Sequence, residues 1–415
     1  MGKLTTKSGI RLLSAMSWLV YFSSYVTRIN YGAILVEFIA AEGVPKSAAS
    51  LITTVLFVTY GTGQLISGYL GDRVLPQKLI ATGLLMAAGC NFLMPILAPN
   101  ISCMIVIWGI NGFAQALMWP PLVKILTSAL TMEVYARQIP FINTSSACAT
   151  IAIYLMAPMV IHVSGWKTVF FISGGTALAA AAFWYLRSKS LLTNITFPKA
   201  EKRKAVPKTE KSPKQIPALL LIPILFSIAV QGMLRDGIST WMPTFVFETF
   251  HTARTTSILT GVALPVFQML INLCIYPILK KMKNDVFACV AALFFGAAVL
   301  LALLRVFGMG SILAAVLLLA LSIGAVYGIN ALQTCYLPTV FQNSGNIASL
   351  AGLLNAATYV GSALSTYLFA AMSEAKGWTA TLQFWCVLSV SGLLLTLICM
   401  KIHRNRHDGS EKRSS

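Results

Sequence analysis

Long stretches without charge constrain this chain more than any other feature of its sequence. No Lys, Arg, Asp or Glu occurs from Leu79 to Val123, from Gln138 to Trp166, or from Val306 to Ser373. Charged residues make up 10% of the chain, whereas an ordinary soluble domain has about 25%. The interior of a soluble fold could not absorb so much apolar sequence, so the pattern excludes a cytosolic enzyme and indicates a membrane protein.

Twelve apolar segments are long enough to cross a bilayer, because a membrane-spanning helix needs about 20 residues. The predicted spans cover residues 12–40, 48–70, 79–98, 102–128, 138–162, 168–186, 217–247, 255–279, 285–304, 311–337, 346–372 and 379–401. The predicted fold is therefore all-α and integral to the membrane, with 12 transmembrane helices. Paired prolines in the MWPP motif predict a kink in span four.

A long polar segment divides the twelve spans into two halves. It covers residues 188–216 and is predicted to be a basic cytoplasmic linker, either a solvated tether or a contact for anionic lipid headgroups. The predicted N-terminal six-helix half is 1–187, the C-terminal six-helix half is 217–402, and a cytoplasmic tail covers 403–415.

Three features recur at similar separations in the two halves, and these recurrences, here called echoes, suggest that the halves are pseudo-symmetric repeats. A Gly-Trp pair at Gly165 returns at Gly377, 212 residues later, and a Gly-Ile-Asn triplet returns after 219 residues. Arg28 and Arg235 are 207 residues apart. Three echoes in the same order favour an internal two-fold repeat.

Positive charge predicts the orientation. With the N-terminus in the cytoplasm, the inner segments hold 23 of the 31 Lys and Arg residues, so both termini are expected inside a cell membrane. Orientation in the membrane explains the net charge of +19 better than binding of a nucleic acid does. The lipid bilayer is the expected surrounding partner, nucleic acid is not expected, and nothing demands more than a monomer.

Arg28 and Arg235 are predicted near the middle of the bilayer, each four residues beyond the midpoint of its span. Inserting Arg at this depth costs about 2.5 to 3.5 kcal/mol, so it should face a cavity or a partner. A purely structural arginine is one interpretation, and their matching depth favours substrate binding. A guanidinium fork matches phosphate or carboxylate oxygens, so the expected substrate is a small anion, with phosphate the favoured head group.

Asp236 follows Arg235 directly, but neighbours on an α-helix diverge by about 100°, so a direct pair is not assured. Two cations without counter-charges favour exchange of one anion for another, because an empty carrier would have to reorient them. Neutralisation of Arg235 by Asp236 would weaken that argument.

Other polar residues keep two interpretations. Asp72 and Arg73, in the loop after span two, fit a conformational latch or a plain positive-inside turn. Lys124, near the inner end of span four, either extends to water or joins an inward path for anions. The sequence shows no nucleophile, nucleotide loop or metal-ligand spacing, so no enzyme activity, metal or cofactor is expected.

Several motifs resemble one known superfamily. Twelve spans in two halves, GYLGDR after span two and the two Gly-Trp turns resemble the major facilitator superfamily. More narrowly, YVTRINY in span one, MWPP in span four and LRDGISTWMPTF in span seven are similar to the organophosphate:phosphate antiporter family. This family includes glycerol-phosphate and hexose-phosphate exchangers.

The resemblance implies that Arg28 and Arg235 bind the substrate phosphate, and that the halves rock to give alternating access. It also implies that Tyr25, Tyr60 and Tyr359 line the cavity.

Two positions depart from the family pattern. Where family members have a Lys in span two and a His in span five, the matching residues are Gln64 and Ser146. The cavity is therefore expected to be less basic, as in a diverged member. The predicted function is exchange of a sugar phosphate or glycerol phosphate for inorganic phosphate. Proton-coupled symport of organic anions such as sugar acids, and sensing of a sugar phosphate, stay open.

Overall fold

The computed structural model describes residues 3–4, 6–70, 73–193, 195, 197, 217–341 and 347–411. All regular structure in these ranges is helical. The elements are α1 (Lys7–Glu42), α2 (Lys46–Leu70), α3 (Pro76–Leu97), α4 (Ile101–Ala116), α5 (Trp119–Ala129), α6 (Met132–Ser164), α7 (Lys167–Leu192), α8 (Ala218–Gly232), a π-helical segment (Met233–Gly237), α9 (Ile238–Phe250), α10 (Arg254–Thr260), α11 (Ala263–Lys281), α12 (Val286–Phe307), a 3-10 turn (Gly308–Gly310), α13 (Ile312–Ala331), a second π-helical segment (Leu332–Tyr336), α14 (Leu337–Val340) and α15 (Ile347–Glu411).

The predicted twelve spans correspond to these helices. Within the described residues, ten helical stretches are long and apolar enough to cross a membrane. One of them, Gly352–Asn405, has 54 residues and is broken at Gly377, so it supplies two spans. α1 completes the set; it is less apolar because it carries Arg28 and several serines and tyrosines. The prediction of an all-α membrane protein with twelve transmembrane helices is confirmed.

Two predicted spans are interrupted. Span four breaks between α4 and α5, just before Pro120 and Pro121, as the missing N–H groups of proline predict. Span eight breaks between α10 and α11 at Gly261 and Val262, which the sequence analysis did not predict.

Helix packing divides the chain into two compact units. The first unit comprises Met1–Pro207 and Ala253–Pro265, and the second comprises Lys208–Thr252 and Val266–Ser415. The short helix α10 follows α9 in sequence but belongs to the first unit, where it contacts α1 and α6. There, Nη1 of Arg254 lies 3.2 Å from Oε1 of Glu37. Most of the predicted linker, from residue 198 to 216, lies outside the described residues.

The Gly-Trp echo forms the same turn in both units. Gly165 and Gly377 have φ angles of 77° and 74°. A residue with a Cβ atom is disfavoured in this left-handed region, whereas glycine adopts it readily. The echo therefore reflects a backbone conformation that both units require.

The tryptophans of these turns also pack alike. Trp166 meets Phe38 edge-on at 5.3 Å between ring centres in the first unit. Trp378 meets Phe245 edge-on at 5.4 Å in the second unit. Phe38 and Phe245 are 207 residues apart, the same separation as the two mid-span arginines. This match confirms two pseudo-symmetric halves.

Candidate functional site

In the first unit, Arg28 lies on α1 against two tyrosine rings. Its guanidinium carbon is 4.2 Å from the centre of the Tyr25 ring and 5.1 Å from the centre of the Tyr60 ring, on α2. Tyr25 is reached because residues three apart share one face of a helix. These distances are those of cation–π interactions. The structure thus brings together three of the residues that the sequence analysis selected.

The aromatic surface continues along α1 beyond Tyr25. The Tyr21 ring lies 5.0 Å from Tyr25 and 4.3 Å from Trp119, the first residue of α5. Tyr21, Tyr25 and Trp119 are all partly exposed. The sequence analysis quoted the MWPP motif for its prolines and missed this contact of its tryptophan.

A buried amide network holds the segment of α1 that carries Arg28. The carbonyl oxygen of Thr27 accepts hydrogen bonds from Nδ2 of Asn91 at 3.1 Å and from Nδ2 of Asn111 at 2.9 Å. Gln115 donates to the Thr27 hydroxyl at 3.0 Å and accepts from Ser24 at 2.6 Å. All five residues are buried, and buried polar groups with satisfied hydrogen bonds fix local geometry. The network joins α1 to α3 and α4.

In the second unit, Arg235 and Asp236 form a direct ion pair inside the π-helical segment. Nε of Arg235 donates to Oδ1 of Asp236 at 2.9 Å, and Nη2 donates to Oδ2 at 2.6 Å. Neighbours on an α-helix diverge by about 100°, and the long Arg235 side chain spans this divergence to reach Asp236. Arg235 therefore has a counter-charge, which is the condition under which the argument for exchange from two mid-span cations weakens.

Three further side chains surround this pair. Nη1 of Arg235 donates to Oδ1 of Asn330 on α13 at 3.0 Å, and the hydroxyl of Ser362 on α15 donates to Oδ2 of Asp236 at 2.6 Å. The guanidinium carbon lies 5.6 Å from the centre of the Tyr359 ring. Arg235 is 8% exposed. Asn330 and Ser362 were missed from sequence, although Asn330 is the asparagine of the second Gly-Ile-Asn echo.

The other candidates lie elsewhere in the first unit. Gln64 on α2 and Lys124 on α5 are half-buried. Ser146 on α6 is buried and donates to the carbonyl of Asn143, in its own helix, at 2.9 Å. Arg73 is exposed in the turn between α2 and α3.

The predicted latch and the question of a metal site are described only as far as the described residues reach. Asp72 lies outside them, so a latch formed with Arg73 stays a prediction. No group of three or more His, Cys, Asp or Glu side chains that could hold a metal occurs in the described part of the chain.

Solved membrane transporters share this fold. The chain matches a bacterial homologue of the human lysosomal transporter Spinster with a TM-score of 0.73 and 12% identity, covering 95% of this chain and 98% of that one. It matches a point mutant of the peptide transporter POT with a TM-score of 0.75 and 14% identity, covering 98% and 96%. These similarities define the class as a twelve-helix membrane transporter fold. The chain belongs to the Major Facilitator Superfamily, whose family model matches residues 17–366.

Curated relatives agree with the narrower resemblance. The chain is 26% identical over 184 residues to a probable hexose phosphate transport protein of Chlamydia muridarum, covering 44% of this chain and 40% of that protein. It is 25% identical over 250 residues to the glycerol-3-phosphate transporter of Bacillus subtilis, covering 55% of each. It is 26% identical over 175 residues to the membrane sensor protein UhpC of Escherichia coli, covering 41% and 39%. The chain therefore spans about half the length of these relatives.

Proposed function

We propose that this protein is a secondary transporter that exchanges an organophosphate, a sugar phosphate or glycerol phosphate, for inorganic phosphate by alternating access. The observation that carries the proposal is one mid-span arginine in each unit, packed against tyrosine. The names of two relatives, which refer to hexose phosphate and glycerol 3-phosphate, support the same substrate class.

The chemistry of the two arginines suits this substrate. A guanidinium stays protonated and offers parallel N–H groups to two phosphate oxygens. Partial burial strengthens the attraction, because the effective dielectric constant is lower than in water. Arg28 and Arg235 are the proposed phosphate ligands, and Tyr25, Tyr60 and Tyr359 the proposed lining.

Three polar residues complete the proposed site. We propose that Gln64, Ser146 and Lys124 contact the substrate as it passes. The small amide and hydroxyl at the first two positions leave room for an organic group without adding charge.

The proposed setting is a cell membrane with both termini in the cytoplasm. It is supported by the excess of Lys and Arg in the segments that would then be internal. The protein is proposed to act as a monomer, with residues 1–187 and 217–402 as its two moving halves.

A second candidate is proton-coupled symport of an organic anion. The Arg235–Asp236 pair favours it, because protonation of Asp236 would release Arg235 for the anion. A third candidate is sensing of a sugar phosphate without transport, which the similarity to a membrane sensor protein supports.

Phosphate efflux from proteoliposomes tests the proposal. Vesicles preloaded with labelled phosphate are exposed in turn to sugar phosphates, glycerol phosphates and sugar acids. A phosphorylated compound should drive efflux, and Arg28→Lys and Arg235→Lys should each lower the rate at least about tenfold, since an ammonium replaces a fork.

Arg137→Lys is the matched control, because Arg137 is an exposed arginine of α6 paired with Glu133 at 3.5 Å. It should leave efflux unchanged. Wild-type rates in both mid-span variants would refute the proposed binding role. Binding of a sugar phosphate without efflux would favour the sensor, and efflux driven by sugar acids with a pH gradient would favour symport.

A further inference from the structure

We propose that Asp236 is an internal counter-anion that occupies Arg235 between substrates, so that a transported anion must take its place. This inference rests on the proposed function, and it adds a residue that decides which anions bind and whether the empty carrier can reorient. Asp236 is thus a positioning residue that acts through Arg235.

The geometry of the pair supports this role. Asp236 takes the edge of the guanidinium formed by Nε and Nη2, which is one of the edges that bind a phosphate or carboxylate with two bonds. Asn330 holds Nη1. A phosphate that approaches this arrangement meets a carboxylate charge beside the cation, and the repulsion is large in a buried site. Productive binding therefore requires that Asp236 leave the guanidinium.

The released carboxylate has a partner in place. The hydroxyl of Ser362 already donates to Oδ2 of Asp236 at 2.6 Å. Ser362 also lies 3.0 Å from the carbonyl of Thr358 and 3.4 Å from that of Gly232, so α15 fixes its position beside the π-helical segment. Rotation of the Asp236 side chain away from Arg235 can keep this hydrogen bond.

The pair also determines selectivity. An anion must displace a carboxylate that is already held next to the guanidinium. A phosphate with two charges can do so, whereas a monocarboxylate offers only the chemistry that Asp236 supplies itself. We therefore expect the second unit to reject monocarboxylates.

The pair further changes what the empty carrier can do. With Asp236 on Arg235, the second unit carries no net charge at this position when no substrate is bound. Reorientation without substrate is then less costly than with an exposed cation. Slow net movement of phosphate should therefore accompany exchange.

The experiment compares exchange with net efflux in the same vesicles. Phosphate:phosphate exchange and efflux into phosphate-free medium are measured for the wild type and Asp236→Asn. The wild type should show exchange and a slower net efflux. In Asp236→Asn, the half-saturating phosphate concentration for exchange should fall about tenfold, because the pair no longer reduces the competent fraction of Arg235. Net efflux should fall relative to exchange.

Glu248→Gln is the matched control. Glu248 is a carboxylate of α9 that accepts from Nε1 of Trp378 at 2.7 Å, and a glutamine oxygen can accept the same bond. This variant should alter neither quantity. Asp236→Glu keeps a carboxylate within reach and should retain net efflux. A lower half-saturation with a lower net rate is a split that simple damage to the fold does not produce.

The failures are distinguishable. Absence of exchange in the wild type overturns the proposed function itself. Exchange with no net efflux above protein-free vesicles overturns the counter-anion, and so does an unchanged or raised half-saturation in Asp236→Asn. If that variant is not recovered folded, the wild type still decides: efflux driven by a monocarboxylate as fast as by phosphate overturns the inference.

Discussion

Arg28 and Arg235 occupy matching positions in the internal repeat, yet their surroundings differ. Arg28 lies in a regular α-helix against two tyrosine rings. Arg235 lies in a π-helical segment, where a carboxylate and an asparagine hold its nitrogens. The repeat keeps the position of the charge and a tyrosine ring beside it, but Arg235 is followed in the chain by a carboxylate, whereas Arg28 is followed by Ile29.

The echoed asparagines show the same division. Asn111 supports the backbone of α1 by donating to the Thr27 carbonyl. Asn330 supports a side chain by accepting from Arg235. The asparagine of the repeated triplet therefore supports the backbone beside the arginine in the first unit, and the guanidinium itself in the second.

The largest expected difference between the units is in stability. Arg235→Met leaves the half-buried Asp236 carboxylate without its cation, which should lower the free energy of unfolding by up to about 3–5 kcal/mol. Arg28→Met loses cation–π contacts, which contribute about 0.5–2 kcal/mol each, together with the other contacts of this side chain. Thermal unfolding in detergent measures both. The double variant Arg235→Met with Asp236→Asn should recover most of the loss, and equal losses in the two single variants would contradict the comparison.

The two asparagines should separate stability from binding. Asn111→Ala removes a buried partner of the Thr27 carbonyl and should cost about 1–3 kcal/mol of stability, with little change in phosphate half-saturation. Asn330→Ala should raise the half-saturating phosphate concentration about tenfold, because the guanidinium loses its orientation. Unfolding curves and exchange assays on the same preparations check both. A raised half-saturation in Asn111→Ala, together with a loss of stability alone in Asn330→Ala, would contradict this difference between the units.

The smallest expected effect concerns the Gly-Trp turns, where the two units have the same backbone conformation. Gly165→Ala and Gly377→Ala each place a Cβ in a left-handed conformation, at a cost of about 1–2 kcal/mol. The two losses of stability should be equal within error. Gly296→Ala, in the middle of α12 with nothing within 4 Å of an added Cβ, is the control and should not destabilise. Unequal losses would limit the similarity of the two turns to their φ angles.

The sequence predicted the features that depend on local composition. Span positions follow from runs of apolar residues, and the matching places of Arg28 and Arg235 in the two repeats follow from their separation of 207 residues. The Gly-Trp turns were visible because only glycine adopts their backbone angle readily.

Features that depend on hydrogen-bond register or on packing were not predictable in this way. An i→i+5 bond differs from an i→i+4 bond by one residue, and the composition of LRDGIST does not reveal which forms. The Arg235–Asp236 pair and its contact with Ser362 depend on side-chain conformation and on the packing of α15. The amide network around Thr27 depends on how α3 and α4 pack, although Asn91, Asn111 and Gln115 were visible as polar residues within apolar spans.

The π-helical segment also bears on how the two halves of the repeat align with each other. A turn closed by an i→i+5 bond accommodates one residue more than an α-helical turn, so this turn lengthens the second half by one residue. From the arginines outward, the separation stays at 207 residues through Phe38 and Phe245. An alignment of the halves should therefore place a one-residue gap on the inner side of Arg28. Divergence of the second half at this point is then a change of length as well as of side chains.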